Sequence, residues 1–298
     1  MIQIAGIIGV FVAVFGGYLI AGGKMGVILS AVGPEMLIIG GSGFMTMLIS
    51  GDGALVKKTL TSFGKVFKGP NWKSTDYSDL LSLLYLLLRV HQKEGAAKLE
   101  KHIETPDNSP IFSRYPRIIQ DGALRDLICD TLRSVTLNNK DPHRIGEMME
   151  TAIDKRHAEN MKPAKAIQTM ADAFPALGIV AAVLGIIKAL GAISESPEVL
   201  GRMIGAALVG TFLGVFLAYG MIGPMAGRLK AIFEEEKRMA DVTRAVITSY
   251  LENLSPQICV EIGRQAVPSK LQPSFDQMET QLRDAGRMKS DGGDSGGE

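Results

Sequence analysis

The stretch "LVGTFLGVFLAYG", residues 208–220, decides the fold. It lies in a 25-residue window, 203–227, that carries no charge and whose only hydroxyls belong to Thr211 and Tyr219. A bilayer-spanning helix needs about 20 mostly apolar residues, so the window is long enough to cross. Glycine or alanine recurs at every fourth position: Ala206, Gly210, Gly214 and Ala218. Four residues is close to one helical turn, so these form a lengthwise seam. Lipid gives little hydrophobic drive for helix association, and small residues let two backbones approach closely.

Three more windows share this character. Residues 1–23 carry no charge, and no basic start precedes Ile2, so a retained span is expected rather than a cleaved leader. Residues 25–50 are interrupted only by Pro34 and Glu35, and residues 174–193 hold one charge, Lys188, near the far end. Lys188 is placed to snorkel to the surface. The third window repeats the seam pattern with Ala181, Gly185 and Ala189. The leucine run "LLSLLYLLL", residues 80–88, is nine residues long and too short to span; it reads as the buried face of a helix in water. The fold class is therefore all-α, a four-span membrane protein with a helical cytoplasmic domain.

Lysine and arginine set the orientation. Of 32 in the chain, 19 lie between Asp52 and Ala173 and 10 after Pro224, leaving Lys24, Lys188 and Arg202 at the short connections. The large loop and both termini are thus expected in the cytoplasm. The expected division is 1–50 for spans one and two, 51–172 for a cytoplasmic helical domain, 173–227 for spans three and four, 228–285 for a cytoplasmic extension of the fourth helix, and 286–298 for a disordered tail.

Within the cytoplasmic part, Ser78 or Asp79 is expected to cap a helix that Gly95 ends. Further helices are expected over 96–104, 115–137 and 145–160. The fourth span is expected to continue as one helix to Ser255-Pro256. The charge balance, 32 basic against 31 acidic side chains, gives no footprint for nucleic acid. Cys129 and Cys259 lie far apart and fit unpaired thiols. His91, His102, His143 and His157 show no metal-ligand spacing and read as solvated surface residues. No Walker, HExxH or GxSxG pattern occurs, so no catalytic residue is assigned.

Thr211 lies beside the seam. Its hydroxyl either bonds back to the carbonyl of Ala207 or lines a wet path where a polar group serves a passing ion. Pro175 and Pro224 stand at one end of spans three and four, where both helices are expected to bend.

The segments "FPALGIVAAVLGIIKALG", "LVGTFLGVFLAYG", "IFSRYPRI" and "DLLSLLYLLLRVHQKEGAAKLEKHIETP" resemble the MotA family of flagellar stator subunits. The likeness runs from the first span to about Phe275. The two-long-helix core also resembles ExbB and TolQ, whose usual three spans are one fewer than here. The resemblance implies a ring of five chains around two single-span helices of a MotB partner. Ions would cross at the boundary by way of an aspartate on the partner, and the cytoplasmic loop would engage the rotor protein FliG and so deliver torque. Pro175 and Pro224 match the family's two functional prolines, and Thr211 its channel-facing threonine. Sodium-using relatives carry a second threonine where this chain has Ala182, which favours protons as the transported ion, with no cofactor and no metal. Glu100 matches the acidic rotor-facing residue. The expected basic residue eight positions earlier is Gln92 here, flanked by Arg89 and Lys93.

Spans three and four hold no carboxylate, so a partner must supply the carrier that an intramembrane path normally needs. Glu35 is the only carboxylate in any window and is expected to cap or pair. The alternative function is an ExbB- or TolQ-like energiser working with a different single-span partner.

Overall fold

The computed structural model describes residues 2–137 and 141–287. Among the described residues every regular element is helical. Four helices are long and apolar enough to cross a membrane: α1 (Ile2–Ile20), α2 (Met25–Ser50), α9 (Pro142–Gly191) and α10 (Pro197–Leu251). The shorter helices are α3 (Gly53–Phe63), α4 (Lys65–Lys68), α5 (Ser74–Glu94), α6 (Ala96–Glu104), α7 (Pro116–Gln120), α8 (Gly122–Thr136), α11 (Pro256–Ala266) and α12 (Phe275–Arg287). The tail expected to be disordered lies, from residue 288 onward, outside the described residues.

The chain divides into two compact units. One holds Met1–Gly69 and Asn160–Phe233, the other Pro70–Glu159 together with the chain from Glu234. The first unit therefore takes in residues 51–69 and 160–172 as well as the apolar windows. One of its cores joins Ile28, Ala31 and Ile39 of α2 to Phe174 and Ala181 of α9 and to Val209, Leu213 and Ala218 of α10. A second joins Val66 to Met161, Ala164, Ile167, Met225, Leu229 and Phe233. Lys58 Nζ donates to Asn160 Oδ1 at 3.0 Å beside it. The outward side stays apolar: Ile179, Val183, Ile187 and Leu190 of α9, Leu208 and Tyr219 of α10, and much of α1 are exposed. A patch of that extent does not suit water but suits lipid, where helices satisfy every backbone group internally.

Three membrane helices contain a widened π turn: Val12–Gly16 in α1, Leu37–Gly41 in α2 and Phe216–Ile222 in α10. The first and third meet in an aromatic cluster, where Phe15 packs edge-on against Phe212 and Phe216 at 5.9 and 5.6 Å between ring centres. The third ends two residues before Pro224, which lacks an amide hydrogen and whose ring crowds the carbonyl one turn back. Widening the turn, with the Gly223 amide bonding five residues back to Ala218 O, relieves that crowding. By contrast α9 is α-helical without interruption through Pro163 and Pro175.

The second unit is built around α5. Leu80, Leu81, Leu83, Leu84, Leu87 and Leu88 are all fully buried, so the leucine run is enclosed on every side rather than along one face. The helix begins at Ser74, four residues before the expected cap. Asp76 sets that start, accepting from the Lys73 amide at 2.7 Å and pairing with Arg117 at 3.0 Å. Gly95, at φ 83°, ends it as expected, since only glycine adopts that backbone freely. The helix expected over 115–137 is two helices, because Asp121 caps α8 by accepting from Leu124 N at 3.0 Å. The helix expected over 145–160 is the opening of α9, which begins where Asp141 Oδ1 accepts from the His143 amide at 3.0 Å. Within this unit the first part of α9 and the last part of α10 are joined by Arg244–Glu150 at 2.7 Å and Lys237–Asp154 at 2.8 Å. The α10 helix ends at Leu251, before Ser255-Pro256, which instead starts α11.

Candidate functional site

The small residues of α9 and α10 bring the two backbones into contact. A Cβ on Gly178 would stand 2.9 Å from Gly210 O, 3.2 Å from Gly214 Cα and 3.3 Å from Thr211 Cα. One on Gly214 would stand 2.5 Å from Phe174 O, and one on Gly185 2.6 Å from Ala207 Cβ. The seam thus pairs Gly178, Ala181 and Gly185 with Gly214, Gly210 and Ala207. Ala207 takes the place expected for Ala206, which is only half-buried against the neighbouring core. Gly178 completes the seam on α9; its spacing of three before Ala181 was the signal.

Thr211 follows Gly210 directly. Its side chain is half-buried. Of the two routes open to its hydroxyl, the back-bond to Ala207 O is not made among the described residues. The same bond is made by Thr46 to Ser42 O at 2.9 Å and by Thr243 to Met239 O at 3.0 Å, so Thr211 differs from these two helical threonines. Ala182, next to the seam residue Ala181, is buried. Pro175 follows Phe174, whose carbonyl faces Gly214, and Pro224 follows the π turn. Thr211, Ala182 and Pro175 thus belong to one helix pair.

Glu35 corrects an expectation. It neither caps nor pairs. It is 7% exposed and its Oε2 makes no hydrogen bond among the described residues. That oxygen would stand 2.6 Å from a Cβ on Gly210, and Ala181 Cβ lies 3.1 Å from the same point.

The charged residues of the other unit lie on α5 and α6. Arg89 is half-buried and donates weakly to Gly286 O of α12 at 3.5 Å, while Gln92 and Lys93 are exposed. Arg89, Gln92 and Lys93 line a cleft with Tyr85, Gln257 and Arg283, about 260 Å³ in volume. Glu100, on α6 beyond Gly95, does not line that cleft and forms no ion pair among the described residues. Four residues on, Glu104 accepts from Arg133 Nε at 2.6 Å, which holds its carboxyl below the usual carboxylate range. Two histidines are also corrected: His91 Nδ1 lies 2.7 Å from Tyr250 OH and His102 Nδ1 2.9 Å from Ser109 Oγ, both part-buried rather than solvated.

Comparison with known proteins finds likeness along most of the chain. Residues 4–95 match the family described as motility protein A N-terminal, and residues 119–241 match the MotA/TolQ/ExbB proton channel family. Motility protein A of Salmonella typhimurium is 36% identical over 95% of each chain. Chemotaxis protein LafT of Vibrio parahaemolyticus is 32% identical over 95% of this chain and 98% of its own. The fold resembles the Bacillus subtilis flagellar MotAB stator structure, with a TM-score of 0.69 and 24% identity over 91% of this chain and 98% of that one. The chain belongs to the MotA/TolQ/ExbB proton channel family, on the motility protein A branch.

Proposed function

We propose that this chain is a flagellar motor stator subunit in which α9 and α10 form half of a proton path and a MotB-like single-span partner supplies the other half. The observation that carries the path is the Thr211 hydroxyl, left free of its helix beside a closed seam. Spans three and four provide no carboxylate, so the group that carries the proton across belongs to the partner. Relatives named motility protein A, and the match to the motility protein A N-terminal model, favour this reading over an ExbB- or TolQ-like energiser. The family is a channel family, and no reaction is assigned.

Thr211 lines the path, with Ala182 and Pro175 beside it. Ala182 leaves one hydroxyl where a dehydrated sodium ion needs several oxygens, which supports protons. Pro175 and Pro224 couple ion passage to movement of the cytoplasmic segments. The chain is a multi-pass inner-membrane protein, and the bias of lysine and arginine supports a cytoplasmic position for its termini and large loop. Five copies around two partner helices would leave the exposed faces of α9 and α10 against neighbours and partner. Glu100, Arg89, Gln92 and Lys93 are the rotor-facing set, each pair worth only about 0–1 kcal/mol, so contact with FliG draws on several.

The test is co-expression with the adjacent single-span gene product, a subunit count of the purified complex, and proton and sodium flux in vesicles. Proton flux that needs both chains supports the reading. Full flux from this chain alone, or motility that follows external sodium, overturns it.

A further inference from the structure

We propose that Glu35 is a second proton-holding group of the path, contributed by this chain from α2 rather than by the partner. The proposal rests on the reading of α9 and α10 as a path and adds a site to it. Two observations meet at one point, and a third lies on the next residue of α10. The carboxyl is more than nine-tenths buried and Oε2 has no hydrogen-bond partner among the described residues. That oxygen is aimed at the seam, where only the missing side chain of Gly210 leaves it room. The residue after Gly210 is Thr211, whose hydroxyl likewise makes no hydrogen bond among the described residues.

A buried carboxyl without a partner costs stability, and an apolar side chain of similar size would pack more favourably there. A polar group in such a position is a functional candidate by default. The elements packed against it offer no competing charge: residues 25–50 hold no other Asp, Glu, Lys, Arg or His, and residues 174–187 and 203–227 hold none. Glu35 is therefore the one group in this neighbourhood of the chain that can take up and release a proton.

The step balances simply. An O–H bond forms at the Glu35 carboxylate as one breaks in a hydronium ion, leaving water. On release the carboxyl O–H breaks and the proton passes to water or to the partner's carboxylate. No electrons move, and Glu35 returns to its starting state.

The test uses the intact complex of this chain with its partner in vesicles. Glu35→Gln keeps the shape and removes the exchangeable site; it is expected to assemble in the same stoichiometry and to lose at least about tenfold in proton flux. Glu35→Asp, which keeps the acid, is expected to retain a larger share than Glu35→Gln. Wild-type flux in Glu35→Gln overturns the proposal while leaving the path intact; absence of flux in the wild-type complex overturns the path itself. If Glu35→Gln does not assemble, the unaltered complex is treated with a carbodiimide, which attacks protonated carboxyls, and its peptides are analysed by mass spectrometry. Labelling at Glu35 that tracks loss of flux supports the proposal; absence of label there overturns it.

Discussion

Gly214 and Gly178 lie back to back across the α9–α10 pair, with Gly178 Cα 3.0 Å from where a Gly214 side chain would begin. Nothing but hydrogen fits between them. Gly214→Ala forces the helices apart, and such overpacking costs about 1–3 kcal/mol. The expected result is a lower melting temperature for the complex and loss of flux. Gly201→Ala is the control, because a Cβ there meets nothing within 4 Å of its own chain. Equal effects from both substitutions would show that the seam is not closed.

Thr211→Ala removes a hydroxyl that bonds nothing in its own helix. Assembly and melting temperature should stay near wild type while proton flux falls; Thr211→Ser should restore most of it. A fall in melting temperature that matches the fall in flux would make Thr211 a packing residue. Ala182→Thr adds a hydroxyl beside the seam, and sodium dependence of motility in that variant is the readout for its part in ion choice.

Burial pushes the Cys129 thiol up to about 12 and that of Cys259 up to about 11, from an ordinary 9.0. The reactive form is the thiolate, so both should resist iodoacetamide at pH 8 in the folded chain and react once it is denatured. The sign follows from proton binding. Above pH 9.0 the unfolded chain releases thiol protons that the folded chain keeps, so stability falls as pH rises from there toward 11–12. Rapid labelling of folded protein at pH 8 would contradict the burial of both sites.

Leu84→Ala opens a cavity at the centre of α5. The expected loss is about 2–5 kcal/mol, read as a lower melting temperature of the full chain in detergent. An unchanged melting temperature would mean that the leucine run is not a core.

The bounds of α2 were legible to the residue, because its window opens after Lys24 and closes before Asp52. The continuity of α9 was not. Its composition changes from charged to apolar near Ala173, and Pro163 and Pro175 read locally as breakers; only packing on both sides keeps such a helix whole. Reading the α10 seam in steps of four drifted by about 40° per step against a 3.6-residue turn, which is why Ala206 stood in for Ala207. Ser255-Pro256 is a capping residue followed by a first-turn proline, a start signal for α11 that a search for the end of α10 took as a stop. The orientation of Glu35 depends on the absence of a side chain at residue 210, 175 positions away in sequence, and no local pattern carries that.

The π turn at Phe216–Ile222 holds one residue more than an α-helical turn would. Each residue of an α-helix advances its face by about 100°. The extra residue therefore sets the phase between Gly210 and Gly214 above it and Leu229 and Phe233 below, so that both stripes meet their partners along a single helix. Were it to migrate or to tighten, one stripe would rotate out of register while the other stayed seated. The turn thus fixes one register for both the glycine contacts and the apolar cluster of Met225, Leu229 and Phe233.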